Sequence, residues 1–302
     1  MNHILSQHFH IPECASPIIP IILREQEQQL ICSFQPGEAF SFVEVSRAFS
    51  ISEEEARNLL TSAYQRNIIN ISEGPYYQLG SFYARLGTFC QFENDLWSNL
   101  DPELRNSLGN WYLQSFIKKT KPLWESNQRP DRVATLEETI QFIEQHEGGF
   151  YLTKCDCRSI FGNCNHTLET CIGFSGEQNT SFHRGHARLI TKDETIALVN
   201  ECHQEGLIHT LENYGICNCC TDCCFEYRAA VLCDTIGTWP ISTKIVSWEE
   251  TACIHCGICT KRCPMGAFVK EGKTVSFQAK QCIGCGVCIS KCPKSAIKLI
   301  PR

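Results

Sequence analysis

The stretches 253-CIHCGICTKRCP-264 and 282-CIGCGVCISKCP-293 are two copies of one pattern, C-x2-C-x2-C-x3-C-P. Each copy sets three cysteines on a short loop and a fourth just before a proline that turns the chain away. Between them, 267-AFVKEGKTVSFQ-278 reads as a strand, a turn at Glu271-Gly272 and a second strand with Val275 and Phe277 on one face. Glycines beside the cysteines (Gly257, Gly284, Gly286) permit unusual backbone angles and let amide N–H groups approach sulfur. Residues 250–302 carry a formal +7, which leaves −13 for residues 1–249, so the basic tail reads as a separate unit.

This repeat resembles the bacterial two-cluster ferredoxin, across about fifty residues at the end of the chain. The resemblance implies two [4Fe-4S] clusters. By its pattern, Cys253, Cys256, Cys259 and Cys292 hold one cluster, and Cys282, Cys285, Cys288 and Cys263 hold the other. A pair of structural zinc sites is the alternative, since four thiolates also suit zinc. Lys261, Arg262, Lys270, Lys273, Lys280, Lys291, Lys294 and Lys298 compensate cluster charge or meet an acidic redox partner protein, with DNA binding as a third reading.

The chain has 302 residues and 22 cysteines, far too long for a small secreted scaffold held by disulfides. Its start, MNHILSQHFHIPECASPIIPIILREQ, lacks the pattern of a secretion signal, and no window is apolar enough to span a bilayer. The expectation is a cytoplasmic protein whose thiols are reduced and free to bind metal. Three cysteines lie in the first half (Cys14, Cys32, Cys90), eleven between Cys155 and Cys233, and eight in the tail. This spread suggests domains at 1–134, 135–249 and 250–302. The fold class expected is α+β: an N-terminal winged-helix-like helical domain, a central cysteine-rich α+β module and the C-terminal 2[4Fe-4S] ferredoxin fold.

In the first domain, 40-FSFVEVSRAF-49 reads as a helix. Ser52 with Glu55 forms a capping box before a helix that buries Ala56, Leu59, Leu60 and Ala63 and ends near Asn67. The strands IINIS and YYQLG then flank Gly74-Pro75, which resembles a winged helix. Residues 38–80 hold six Glu against three Arg. Nucleic-acid binders neutralise phosphates, so a net −3 argues for a docking or structural role instead. A helix starts at Asp101-Pro102 and runs to about Lys119, another starts at the Thr135/Glu138 capping box, and 120-TKPLWESNQRPDR-132 reads as a hinge. His3, His8 and His10 read as exposed side chains.

The central module supplies Cys155, Cys157, Cys164 and Cys171, then Cys217, Cys219, Cys220, Cys223 and Cys224 in 217-CNCCTDCC-224. Arg158 beside the first pair can stabilise thiolate charge. Thr191 with Glu194 caps a helix closed by Gly206, and Cys202 falls in its apolar stripe, a core position. Five thiols in eight residues exceed what one tetrahedral zinc can use, so a further polynuclear iron–sulfur centre is expected. A helical turn could place Cys219, Cys220, Cys223 and Cys224 partly on one side. The four earlier cysteines would complete that centre or hold another; zinc, free thiols or a redox disulfide are the alternatives. His166, His183 and His186 read as loop histidines, with a ligand or proton-donor role as the alternative.

Residues 150–302 also resemble a group of cytoplasmic iron–sulfur proteins of anaerobic microbes, with a C-x-C-R segment, a capped helix ending in GL(I/V)H, a CNCC run and a two-cluster ferredoxin. Their second cysteine run has one residue where this chain has Thr221-Asp222, so no ligand set is carried over. The resemblance implies an electron-transfer protein. The competing readings are a reductase with a substrate-binding central cluster and a redox-responsive DNA-binding regulator. No G-x-G-x-x-G fingerprint for a flavin or nicotinamide appears.

Overall fold

The computed structural model describes residues 3–126, 128 and 131–302, and it combines helices and strands, in keeping with an α+β chain. Two compact units divide it. The first comprises residues 1–115, 159–161 and 177–188; the second comprises 116–158, 162–176 and 189–302.

In the first unit, helix Phe42–Phe49 precedes helix Glu53–Gln65, and both begin with reciprocal caps, Ser41 with Glu44 and Ser52 with Glu55. Asn67, at φ 61°, turns the chain into strands β1 (Ile69–Ile71) and β2 (Tyr77–Leu79), which pair antiparallel. Arg66 binds Glu27 at 2.6 Å and Glu93 at 2.7 Å, and Glu93 also meets the fully buried Arg85 at 2.6 Å. Burial lowers the Arg85 pKa to about 10, because few water molecules remain to solvate its charge.

The segment 177–188 belongs to this unit and is fastened to it through polar side chains. Arg184 is buried and donates to the backbone carbonyls of Tyr64 and Ile69 and to Asn70 Oδ1. His183 Nδ1 meets the Tyr64 hydroxyl at 2.6 Å, while His186 Nε2 meets the Gln65 carbonyl at 2.6 Å and its ring stacks on Phe92. His183 and His186 are thus loop histidines, as expected from sequence, and each is held by a hydrogen bond.

The second unit is organised on a six-stranded sheet. Its strands are β3 (Arg132–Ala134), β4 (Phe150–Lys154), β5 (Glu169–Phe174), β6 (Arg188–Ile190), β7 (Ile208–Glu212) and β8 (Gly215–Cys219), in the order β3-β7-β8-β5-β4-β6. Arg132–Ala134 therefore lies within the central sheet, although the expected first domain of 1–134 would contain it, because it pairs with β7. Helices Leu136–Gln145 and Lys192–Glu205 start at the capping boxes of Thr135 and Thr191. Ile143 and Val199 pack with Leu152, Ile172, Leu211 and Ile216 into an apolar layer. Cys202 is 3% exposed, a core residue. The helix begun at Pro102 runs on to Glu125, so the first six residues of the expected hinge are helical; Asn127, Arg129 and Pro130 lie outside the described residues.

The tail adds β9 (Lys244–Trp248), β10 (Phe268–Glu271), β11 (Thr274–Phe277) and β12 (Ile297–Pro301). The expected hairpin is β10–β11, and Val275 lies 1% exposed in its core. Strand β9 precedes the boundary expected at 250, yet it pairs with β12 from Lys244↔Pro301 to Trp248↔Ile297. Val246 and Ile297 share one core with Cys259, Cys282 and Cys288. The tail thus starts by residue 244. Gly284, at φ 65°, permits this closure, since a Cβ there would collide with the Lys244 carbonyl.

Candidate metal centres

The tail cysteines gather into two sets. Cys253, Cys256, Cys259 and Cys292 line one pocket, walled by Trp248, Ile254, Ile258 and Pro293. Burial pushes the Cys259 thiol up to about 11, and the charges of Cys253, Cys256 and Cys292 add to the rise. Burial likewise pushes Cys285 up to about 12 and raises Cys288, with Cys263 and Cys282 as shared charged neighbours. Backbone amides face the sulfurs: His255 N–H donates to Cys253 Sγ at 3.3 Å, Ala267 N–H to Cys263 Sγ at 3.2 Å and Gly284 N–H to Cys282 Sγ at 3.4 Å. Thiols in fours with amide donors suit iron–sulfur clusters, whose potential rises with such bonds. Cys256 is exposed, whereas Cys282, Cys285 and Cys288 are buried, so the first set is the more open of the two.

The nine central cysteines fall into two groups. Six of them close a ring: Cys155 neighbours Cys157, then Cys224, Cys219, Cys217 and Cys171, which returns to Cys155. Cys224 and Cys219 lie 3.4 Å apart. The other three, Cys164, Cys220 and Cys223, form a separate group, with Cys164 at 3.6 Å from Cys220 and 3.7 Å from Cys223.

Strand geometry explains this division. Side chains alternate along β8, so Cys217 and Cys219 share one face, and Ile216 and Asn218 share the other. Cys220, one step beyond, leaves on the Asn218 side. The β5–β8 register of Ile172↔Ile216, continued by one residue, sets Cys171 against Cys217. Cys155 caps the short helix Asp156–Phe161, and Cys224 caps helix Phe225–Leu232. One turn does join Cys220 to Cys224, whose N–H donates to the Cys220 carbonyl at 3.3 Å, but Cys219 lies outside it on the strand, and the four sulfurs expected on one side divide, Cys219 and Cys224 to the ring and Cys220 and Cys223 to Cys164.

Hydrogen bonds around the ring shift its thiols in alternating directions. Hydrogen bonds from Cys157 and Cys171 hold Cys155 well below the ordinary thiol range, and those from Cys171 and Cys219 do the same for Cys217. Bonds from Cys157 and Cys219 lower Cys224 to about 6. The donors rise: Cys157 chiefly through burial, Cys171 through its bond to Cys155, and Cys219 through its bond to Cys217. Six soft sulfur donors brought together in this way suit a metal centre, which would take them deprotonated.

Arg158 serves both groups. It is 2% exposed, donates to the Asn218 carbonyl, the Thr167 carbonyl and Thr170 Oγ1, and hydrogen-bonds Cys220. Desolvation works against its charge, but the sulfurs around it, Cys155 first and then Cys220 and Cys219, outweigh that and raise its pKa. The cation that sequence placed beside Cys155 and Cys157 therefore also reaches the second group.

Two features carried no obvious sequence signal. Glu212 closes the β7–β8 hairpin, hydrogen-bonds Cys217 and lies with Asp131 and Glu226 in a carboxylate group. Burial first, then the charge of Cys217, raises its pKa well above the carboxylate range. A reading of ENYG as a hairpin turn would have placed it near Cys217. His209, fully buried, binds Asn218 Oδ1 at 2.7 Å, and burial lowers its pKa to about 4. His166 meets Glu205 at 3.0 Å.

A thiol-rich, metal-binding protein is what this arrangement defines. Residues 245–293 match the family model of the 4Fe-4S dicluster domain, which makes the C-terminal region an iron–sulfur, ferredoxin-type domain that binds [4Fe-4S] cofactor. The match begins inside β9, in line with a tail that starts before residue 250. No curated protein and no solved structure matches the chain. Among the described residues, no helix is long and apolar enough to cross a membrane.

Proposed function

We propose that this chain is an iron–sulfur electron-transfer protein of a reducing, cytoplasmic setting, carrying two [4Fe-4S] clusters in the tail and a further iron–sulfur centre in the six-cysteine ring. Cys253, Cys256, Cys259 and Cys292 are the ligands of the outer cluster, and Cys263, Cys282, Cys285 and Cys288 those of the inner one. The clusters supply reversible one-electron chemistry; the chain supplies spacing, amide hydrogen bonds to sulfur and exclusion of water.

The observation that carries this reading is one shared apolar cluster. Cys219 and Cys224 of the ring pack there with Cys285 of the inner set and with Ile283 and Val287, and Cys157 and Cys217 line it. Arg262 donates to the His203 carbonyl at 2.8 Å and Lys291 to Gln204 at 2.9 Å, which ties the tail to the helix beside the sheet. The inner set and the ring are thus dry neighbours, while exposed Cys256 marks the other end. Electrons would pass between a partner at the outer cluster and the ring by way of the inner cluster. Exposed Lys261, Lys273 and Lys294 suit an acidic redox partner protein. The winged-helix-like helices and hairpin of the first unit serve docking, since Glu53, Glu54 and Glu55 are exposed on the helix that would otherwise face phosphates.

Anaerobic purification with iron and sulfide analysis, followed by a reductive titration read by electron paramagnetic resonance, tests this. Iron should exceed the roughly eight atoms of two cubanes, and the fully reduced protein should show magnetic coupling between centres. Iron that stops at the tail's complement would leave the ring out of electron transfer.

A further inference from the structure

We infer that Cys164, Cys220 and Cys223 form a second central metal site, distinct from the ring, which takes a single thiophilic divalent cation of the zinc class and leaves its fourth coordination position to a small exogenous donor. The spacing of the sulfurs carries this. Thiolates about 2.3 Å from a tetrahedral cation lie about 3.8 Å from one another. The observed separations are 3.6 Å for Cys164–Cys220 and 3.7 Å for Cys164–Cys223, and all three sulfurs fall within 4.8 Å of one another. A cubane spreads its thiolates over the outside of a four-iron core, so a mutually touching trio is too tight for it. The ring differs, because its sulfurs meet in succession around six members.

Each sulfur of the trio also has its own hydrogen-bond donor. The backbone N–H of His166 serves Cys164, that of Asn163 serves Cys223, and Cys220 receives the N–H of Cys223 together with Arg158. Such donors fix the orientation of ligands and offset the charge of three thiolates on a divalent cation. The loop is braced by Asn163 Nδ2 donating to the Asp222 carbonyl at 3.1 Å and by Thr221 Oγ1 donating to the Pro264 carbonyl at 2.7 Å. Among the described residues no fourth cysteine, histidine or carboxylate joins the group. Cys220 and Cys223 are 5% and 0% exposed, whereas Cys164 is only half-buried, so the side bearing Cys164 is open. Three protein ligands with one open position are the arrangement of zinc sites that bind water or substrate.

The test uses the full chain, purified anaerobically. Metal analysis should find about one non-iron divalent cation per chain. Cobalt(II) in its place should give thiolate-to-cobalt charge-transfer bands, and added 2-mercaptoethanol should shift them by entering the open position. Cys164→Ser, on the half-buried loop, should lower the cation from that one equivalent to none and abolish the cobalt bands, with iron and the paramagnetic resonance signals unchanged. If Cys164→Ser removes iron and alters those signals, the trio belongs to a cluster and the inference is overturned. It is equally overturned if the parent protein holds no such cation and cobalt gives no thiolate band, a readout that needs no variant to fold. Bands that 2-mercaptoethanol leaves unmoved would overturn the open position. Since none of these readouts depends on iron in the ring, failure of the electron-transfer reading would show separately, in the iron count.

Discussion

The tail and the central sheet handle the same chemistry in opposite ways. In the tail, eight thiols come from two short repeats, and each repeat supplies three members of one set and one of the other. In the central module, nine thiols come from the Cys155–Cys157 turn, the loop at Cys164, strand β5, strand β8 and the turn into helix Phe225–Leu232. Ligands gathered by a local loop are visible as spacing. Ligands gathered by a sheet are visible only through strand register.

The widest gap between the two regions is expected from Cys171→Ser. It removes one ring member set by the β5–β8 register and should abolish the iron beyond the tail's complement, with the tail's resonance signals retained; iron analysis and paramagnetic resonance read both. Loss of tail iron as well would show that the regions are not separable. Next comes Arg158→Gln, which leaves the neighbouring thiolates without their buried counter-charge. A broken buried charge cluster costs about 3–5 kcal/mol, so chemical denaturation of the full chain should show a large loss of stability, and an unchanged denaturation midpoint would show that Arg158 is not the counter-charge.

A pH series sharpens the contrast further. His209 has a folded pKa near 4, below its unfolded value of about 6.5. Between these values the unfolded chain binds the extra proton, so stability rises with pH; the contribution is full above about 6.5 and is lost as pH falls toward 4. The loss approaches about 3 kcal/mol. His209→Gln should flatten this part of the stability curve in urea titrations from pH 7 to 4.5, and an unchanged slope would assign the effect elsewhere. The smallest effect is expected from Thr191→Ala, which removes a helix cap and should cost about 1 kcal/mol without changing metal content.

Legibility follows the same division. The capping boxes at Ser52, Thr135 and Thr191 and the hairpin at Gly272 were readable because each is fixed by residues within a few positions of one another. Strand β9 was not, because its partner lies some fifty residues downstream and KIVSW carries no turn or ligand signal of its own. The split of CNCCTDCC was hidden for a related reason. Adjacent Cys219 and Cys220 differ in destination only because a strand alternates its faces, and nothing within the run says that a strand ends there. Arg184 was equally silent, since its partners at Tyr64 and Ile69 are more than a hundred residues away.

That buried arginine has a consequence for the order in which the protein is made. The first unit is not one continuous stretch of chain: it includes residues 177–188, whose Arg184 guanidinium donates to the carbonyls of Tyr64 and Ile69. A nascent chain that has emerged only to residue 134 holds the capped helices of residues 42–65 but not Arg184. During synthesis at some 5–20 residues per second, the contacts of Arg184 wait several seconds, through emergence of strands β4 and β5 and four cysteines, before they can form.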